Sequence, residues 1–229
     1  MLEVINLSKI FYIKINGSKE VVGCQDINFK VNKGEFLSIL GPSGVGKSTI
    51  LKCIYRTYIP TSGDIYYESL LFGKLNIAKI SDRTMIALRE KEIGYVSQFL
   101  RVIPRVTAID LVIEPIMKKN GISYKEARDI AEELLFKLKI PKYLFDAYPS
   151  TFSGGEQQKV NIARGVIWKP RVLLLDEPTA SLDIESTKIV IDLLMTLKEE
   201  GTTIVAIFHD EKLASLVSDK ILRISGRSI

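Results

Sequence analysis

Apolar residues recur along this chain with two different periods, and the changes of period divide it into elements. Alternation over Leu2–Leu7 and over Val21–Val31 predicts two strands with one exposed face, with Asn16-Gly17 and Asn32-Lys33-Gly34 as turns. Mainly apolar runs at Glu35–Leu40, Ile93–Ser97, Arg171–Asp176 and Thr203–Phe208 predict buried strands. Asp64–Tyr67 predicts one more short strand after a turn at Pro60–Gly63. Helices are expected over Thr49–Tyr55 and Thr84–Lys91. Two more follow from helical spacing, one through Ala127, Ile130, Ala131, Leu134, Leu135 and Leu138, the other through Ile189, Val190, Leu193, Leu194 and Leu197. Ser123-Tyr-Lys-Glu126 is a capping box that opens the first of these two, and Pro141 ends it. Residues 68–83 carry no assignable pattern. Strands alternating with helices imply an α/β fold with a largely parallel sheet covered on both faces. No strand is expected between Gln98 and about Ala163, so this stretch reads as a helical insert in the core.

Composition narrows the classes. With 46% hydrophobic and 26% charged residues in 229, the chain can bury a sizeable core. No apolar run approaches the ~18 residues that span a bilayer, and Met1–Asn6 has no signal-peptide character. Cys24 and Cys53 form neither a disulfide framework nor a zinc pattern, and the expected location is the cytoplasm. The net charge of +5 comes without an arginine-rich tail or a basic–aromatic stripe, so direct nucleic-acid binding is not expected. No repeat or linker marks a second independent domain.

The chemistry centres on Gly41-Pro-Ser-Gly-Val-Gly-Lys-Ser-Thr49, which fits the phosphate-binding pattern G-x-x-x-x-G-K-[ST] between a predicted strand and a predicted helix. Gly41, Gly44 and Gly46 let the backbone wrap a phosphate chain with its N–H groups inward, and Ser43 and Thr49 belong to the same cradle. The following helix adds its positive end, Lys47 a mobile charge, and the Ser48 hydroxyl a ligand for Mg²⁺. A nucleoside triphosphate is the expected ligand.

Four further groups fit around it. Asp176 ends an apolar strand, where a carboxylate can hold Mg²⁺, and Glu177 is placed to polarise the attacking water. Gln98 and His209, the only histidine, also follow strands of the sheet and can reach a γ-phosphate, with Gln98 able to touch the metal. Phe11 is a candidate for stacking on adenine or for a place in the core. Phe152-Ser-Gly-Gly-Glu156 precedes a helix and forms a second phosphate cradle. One nucleotide cannot easily use two cradles of one chain, so this one is expected to serve a second subunit.

In order and spacing these motifs, together with Ser181-Leu182-Asp183, resemble the ATP-binding-cassette (ABC) ATPases over essentially the whole chain. The resemblance implies a P-loop nucleoside triphosphate hydrolase core with an N-terminal antiparallel β subdomain (about 1–97 and 165–229) and a helical subdomain (about 98–164). It also implies a head-to-tail dimer that binds two ATP and Mg²⁺ between one subunit's P-loop and the other's Ser153, Gly154, Gly155 and Glu156. The second subunit is the same cassette or a related one. Gly94–Pro115, Asn161-Ile-Ala-Arg-Gly165 and Phe208-His-Asp210 further resemble PhnL-like ATP-binding proteins of the bacterial carbon–phosphorus lyase system, which processes phosphonates. Transporter ATPases more often read Ala-Ile-Ala-Arg-Ala and Thr-His-Asp there. On that likeness the partners are soluble phosphonate lyase subunits. The alternatives are the ATP-binding subunit of a lipoprotein- or macrolide-exporter type of membrane transporter, and a scaffold that uses ATP only to dimerise.

Overall fold

The computed structural model describes residues 1–14, 18–100 and 102–225, so the expected turn at Asn16-Gly17 and Arg101, within the Gly94–Pro115 segment, lie outside the described residues. Nine strands and seven α-helices are described, in two sheets and a helical region.

The core is a five-stranded parallel sheet of β3 (Phe36–Leu40), β6 (Ile93–Val96), β7 (Val172–Asp176), β8 (Thr203–Ile207) and β9 (Lys220–Arg223), in the order β6-β7-β8-β3-β9. Its inner strands are apolar because both faces are covered. Phe36, Leu173, Leu175, Ile204 and Ala206 face one hydrophobic layer, while Leu37, Ile39, Val172, Leu174 and Val205 face another. The first layer holds α3 (Ala108–Asn120), α4 (Tyr124–Lys137), α5 (Gly154–Val166), α6 (Ile184–Glu199) and α7 (Glu211–Val217). The second holds α1 (Lys47–Ile54), α2 (Asp82–Lys91) and a four-stranded antiparallel sheet.

That second sheet, in the order β2-β1-β4-β5, consists of β1 (Leu2–Lys14), β2 (Ser18–Val31), β4 (Ser62–Ser69) and β5 (Gly73–Asn76). Its first two strands run well beyond the expected Leu2–Leu7 and Val21–Val31, and Phe11 and Tyr12 lie within β1 rather than after it. The alternation is broken by bulges, with Asn6 and Asp26 at φ 48° and 50°. Side chains complete the broken ladder: Asn6 N–H donates to Asn28 Oδ1 at 2.8 Å and Asp26 N–H to Ser8 Oγ at 2.9 Å.

The unassigned stretch 68–83 contains the β4–β5 hairpin and the start of α2. A buried carboxylate organises it. Glu92 accepts from Tyr67 OH at 2.6 Å, Ser69 Oγ at 3.0 Å, the backbone N–H groups of Leu70 and Leu71, and Arg171. Five donors on one carboxylate offset the cost of burying it.

Among the described residues no strand lies between Val96 and Val172. Ser123 and Glu126 form the expected capping box at the start of α4. Ala127, Ala131, Leu135 and Leu138 are buried there, but Ile130 faces solvent, so the apolar stripe is narrower than its spacing suggests. Helix α3 was not anticipated, and Pro115 falls inside it. Thr107 caps it, its hydroxyl accepting from Asp110 N–H.

Candidate functional site

The P-loop leaves β3 at Gly41 and enters α1 at Lys47. Gly46 has φ +102°, and a Cβ there would lie 1.6 Å from the Gly23 carbonyl oxygen. No other residue can follow this path. Gly44, at φ +78°, has open space around it and is favoured by conformation alone. Lys47 is buried, and its ammonium turns back onto the loop, donating to the carbonyls of Gly41 at 2.7 Å and Pro42 at 2.9 Å. Ser43 is exposed on the loop, and Ser48 and Thr49 are half-buried.

Phe11 reaches the same corner from β1. A Cβ at Gly23 would meet Phe11 Cε2 at 2.5 Å and Thr49 Cγ2 at 2.9 Å, so a glycine lets the ring and the P-loop helix approach each other. The ring stands edge-on to Tyr58 and beneath the Lys9 ammonium, and keeps partial exposure.

Asp176, buried at the end of β7, is held by two hydroxyls: Ser48 Oγ donates to Oδ1 at 2.8 Å and Tyr95 OH to Oδ2 at 3.0 Å. Burial beside this carboxylate raises the Tyr95 phenol well above its ordinary range, so it remains a donor. The Tyr95 ring stacks on Tyr55 at 5.0 Å, and Tyr55 lies beneath the Arg89 guanidinium. Arg89 also closes the end of α1 by donating to the Tyr55 carbonyl. Sequence reading missed Tyr95, although a tyrosine inside an apolar strand was a signal that its hydroxyl has a partner.

One residue further, Glu177 adopts φ 54° and is bound on both oxygens. Gln98 Nε2 donates to Oε2 at 2.8 Å, and His209 Nε2 lies 2.6 Å from Oε1. Three residues 79 and 32 positions apart in sequence thus converge at the carboxyl ends of β6, β7 and β8. Ser48, Gln98 and Asp176 line a common cavity of about 300 Å³.

Ser153 and Glu156 form a capping box at the start of α5. The Glu156 carboxylate accepts from Ser153 N–H at 2.8 Å and Oγ–H at 2.7 Å, and these bonds hold its pKa below the usual carboxylate range. Its charge therefore fixes the turn that presents Ser153, Gly154 and Gly155. Gly155 packs on the Ser181 carbonyl, 3.2 Å from where a Cβ would stand. Asp183 caps α6, accepting from Ser186 N–H at 2.8 Å. Among the described residues no hydrogen bond joins Ser153–Glu156 to the P-loop of the same chain. The two cradles remain separate.

Residues 24–180 match the family described as ABC transporter. The arginine transport ATP-binding protein ArtP of Haemophilus influenzae is 39% identical over 86% of this chain and 80% of its own length. The glutamine transport ATP-binding protein GlnQ of Escherichia coli is 37% identical over 97% and 86%. The lipoprotein-releasing system ATP-binding protein LolD of Aquifex aeolicus is 41% identical over 83% and 82%. A dimeric ATP-binding cassette in a post-hydrolysis state with ADP and Pi superposes with TM-score 0.88 at 31% identity, covering 98% of this chain and 94% of that one. On its motifs, its fold and these relatives, the chain belongs to the ABC transporter ATP-binding family and is an ABC ATPase.

Proposed function

We propose that this chain is the ATP-hydrolysing subunit of a membrane transporter, working at the cytoplasmic face as a head-to-tail pair with a second cassette. The observation that carries the reading is that transport ATPases align with 83–97% of the chain at identities of 37–41%. Those identities are level between amino-acid transport and lipoprotein release, so they support transport as the class. No helix among the described residues is long and apolar enough to cross a membrane. Residues 1–229 act as one ATP-binding domain, with about 98–164 as its helical subdomain.

The roles follow from position. The P-loop N–H groups and Lys47 hold the phosphates of ATP, and Phe11 meets the adenine. Ser48 and Asp176 present a hydroxyl and a carboxylate side by side, with the Gln98 amide in the same cavity. This hard-oxygen set suits Mg²⁺, which needs few protein ligands when phosphates and water complete its shell. These three residues would hold the ion, which supplies charge neutralisation at the phosphates. Glu177 accepts a proton from the attacking water. His209 fixes one of its oxygens, and Gln98 holds the other. Ser153, Gly154 and Gly155 close on the nucleotide of the second subunit, with Glu156 holding their turn. Catalysis is then mostly positioning and charge neutralisation.

The second reading, a soluble partner in carbon–phosphorus lyase, is favoured by the likeness of Gly94–Pro115 and of Asn161–Gly165. Affinity purification from detergent-solubilised cells separates the two. Recovery of an integral membrane subunit supports transport. Recovery of phosphonate lyase subunits from the soluble fraction, with no membrane protein, overturns it in favour of the second.

A further inference from the structure

Helix α5 carries the Ser153–Gly155 cradle at its N-terminus and, further along, two amide side chains that reach loops of the nucleotide site. Gln158 Nε2 donates to the Pro178 carbonyl at 3.1 Å, one residue after Glu177. Asn161 Nδ2 donates to the Ser97 carbonyl at 2.7 Å, one residue before Gln98. Both amides are buried, where water competes weakly for their partners. Gly165, one turn beyond Asn161 on the same face, packs against Val96, and a Cβ there would lie 2.3 Å from Val96 Cγ2. The missing side chain sets how closely α5 approaches β6, and that approach brings Asn161 within reach of Ser97.

These are the two positions at which Asn161-Ile-Ala-Arg-Gly165 departs from Ala-Ile-Ala-Arg-Ala, and they act together. Alanine at 165 would push the helix away from β6, and alanine at 161 would have no donor to offer. A buried amide costs more than an apolar side chain unless its bond is made, so simple packing does not account for Asn161. Asn161 and Ser97 also line a cleft of about 300 Å³, together with Tyr55, Arg89, Tyr95 and Glu114.

We propose that Asn161, seated by Gly165, is a positioning residue that ties Gln98 to helix α5, so that engagement of the Ser153–Gly155 end is conveyed to the amide that holds Glu177. This rests on the role of Gln98 given above. Without the tie, only the packing of Gly165 on Val96 would link the end of β6 to α5. With it, closure on a second subunit's nucleotide sets the Gln98–Glu177 contact in the same motion.

The test is a double-mutant cycle on turnover and ATP affinity with Asn161→Ala and Gln98→Ala. Asn161→Ala is expected to lower kcat about threefold to tenfold, the range spanned by one neutral hydrogen bond. ATP affinity stays at the parent value, because Lys47 and Ser48 are untouched. In the Gln98→Ala background the same substitution changes nothing further. Gly165→Ala should reproduce the kcat loss, and adding Val96→Ala should restore the rate by making room for the methyl group. If Asn161→Ala does not accumulate as folded protein, Gly165→Ala carries the same cycle. Additive losses would overturn the proposal, since Asn161 would then act without Gln98. Parent turnover in Asn161→Ala beside slow Gln98→Ala would overturn it alone. Parent turnover in Gln98→Ala would overturn the reading of Gln98 and the tie with it.

Discussion

Tyr95→Phe removes one oxygen atom and leaves the rest of its surroundings in place. The ring keeps its stack on Tyr55, and β6 keeps its ladder with β7. What disappears is the 3.0 Å bond to Oδ2 of Asp176, the carboxylate buried at the end of an apolar strand. A hydrogen bond to a charged group contributes about 1.5–3 kcal/mol net, and Asp176 Oδ2 loses its one hydroxyl partner. In a chain of this size each kcal/mol moves the melting temperature by about 2–4 °C, so the variant should melt about 3–12 °C lower. The same bond orients the carboxylate that would hold Mg²⁺, and loss of such a supporting partner typically weakens metal affinity about 10-fold or more. Two assays check this: thermal unfolding without nucleotide, and Mg²⁺ titration of ATP binding. A variant that melts within a degree of the parent and binds at the parent Mg²⁺ concentration would refute the reasoning.

Other consequences are equally direct. Gly46→Ala puts a Cβ 1.6 Å from the Gly23 carbonyl oxygen at φ +102°, so the loop must leave its path; calorimetry should detect no ATP binding, and retained affinity would disprove the steric argument. Ser153→Arg should abolish ATP-dependent pairing and hydrolysis while one subunit still binds ATP, a split that sedimentation and equilibrium binding resolve. Glu35 is lowered from 4.5 to about 2 by the Asn32 backbone N–H and then by Lys220. A lowered folded-state pKa gives stability that is present above about 4.5 and lost as pH falls toward 2, so the stability gap between parent and Glu35→Gln should close across that window in denaturant titrations.

The parallel core was legible because buried strands write themselves as apolar runs, and β3, β7 and β8 fall where those runs lie. The convergence of Gln98, Glu177 and His209 was legible for a related reason: each follows a strand of one sheet, and parallel strands bring their ends to one edge. Other features were hidden by physics that pattern does not carry. The bulges at Asn6 and Asp26 lie inside the expected strands and leave no mark in the alternation, while β1 and β2 run on through residues 8–14 and 18–20, where it fades. Helix α3 was not anticipated, and it holds Pro115 inside it, where a proline ordinarily breaks a helix. Helix α7 and strand β9 are short and half-exposed, with too few residues to show a period. The hydroxyl pair on Asp176, the two buried amides of α5 and the five donors on Glu92 are contacts between distant elements, and only the folded chain displays them.

The central claim is that hydrolysis takes place in a site completed by a second subunit, with Glu177 as the base. Sedimentation of Glu177→Gln with and without MgATP tests it most directly, because the amide keeps the volume of the side chain and removes only its charge. The account predicts that MgATP converts the variant, alone or with its partner cassette, into a stable pair holding two ATP, while turnover falls by about 10²–10⁴. A particle that stays monomeric at high concentration with MgATP and the partner cassette, or one that hydrolyses ATP at the parent rate, would contradict it.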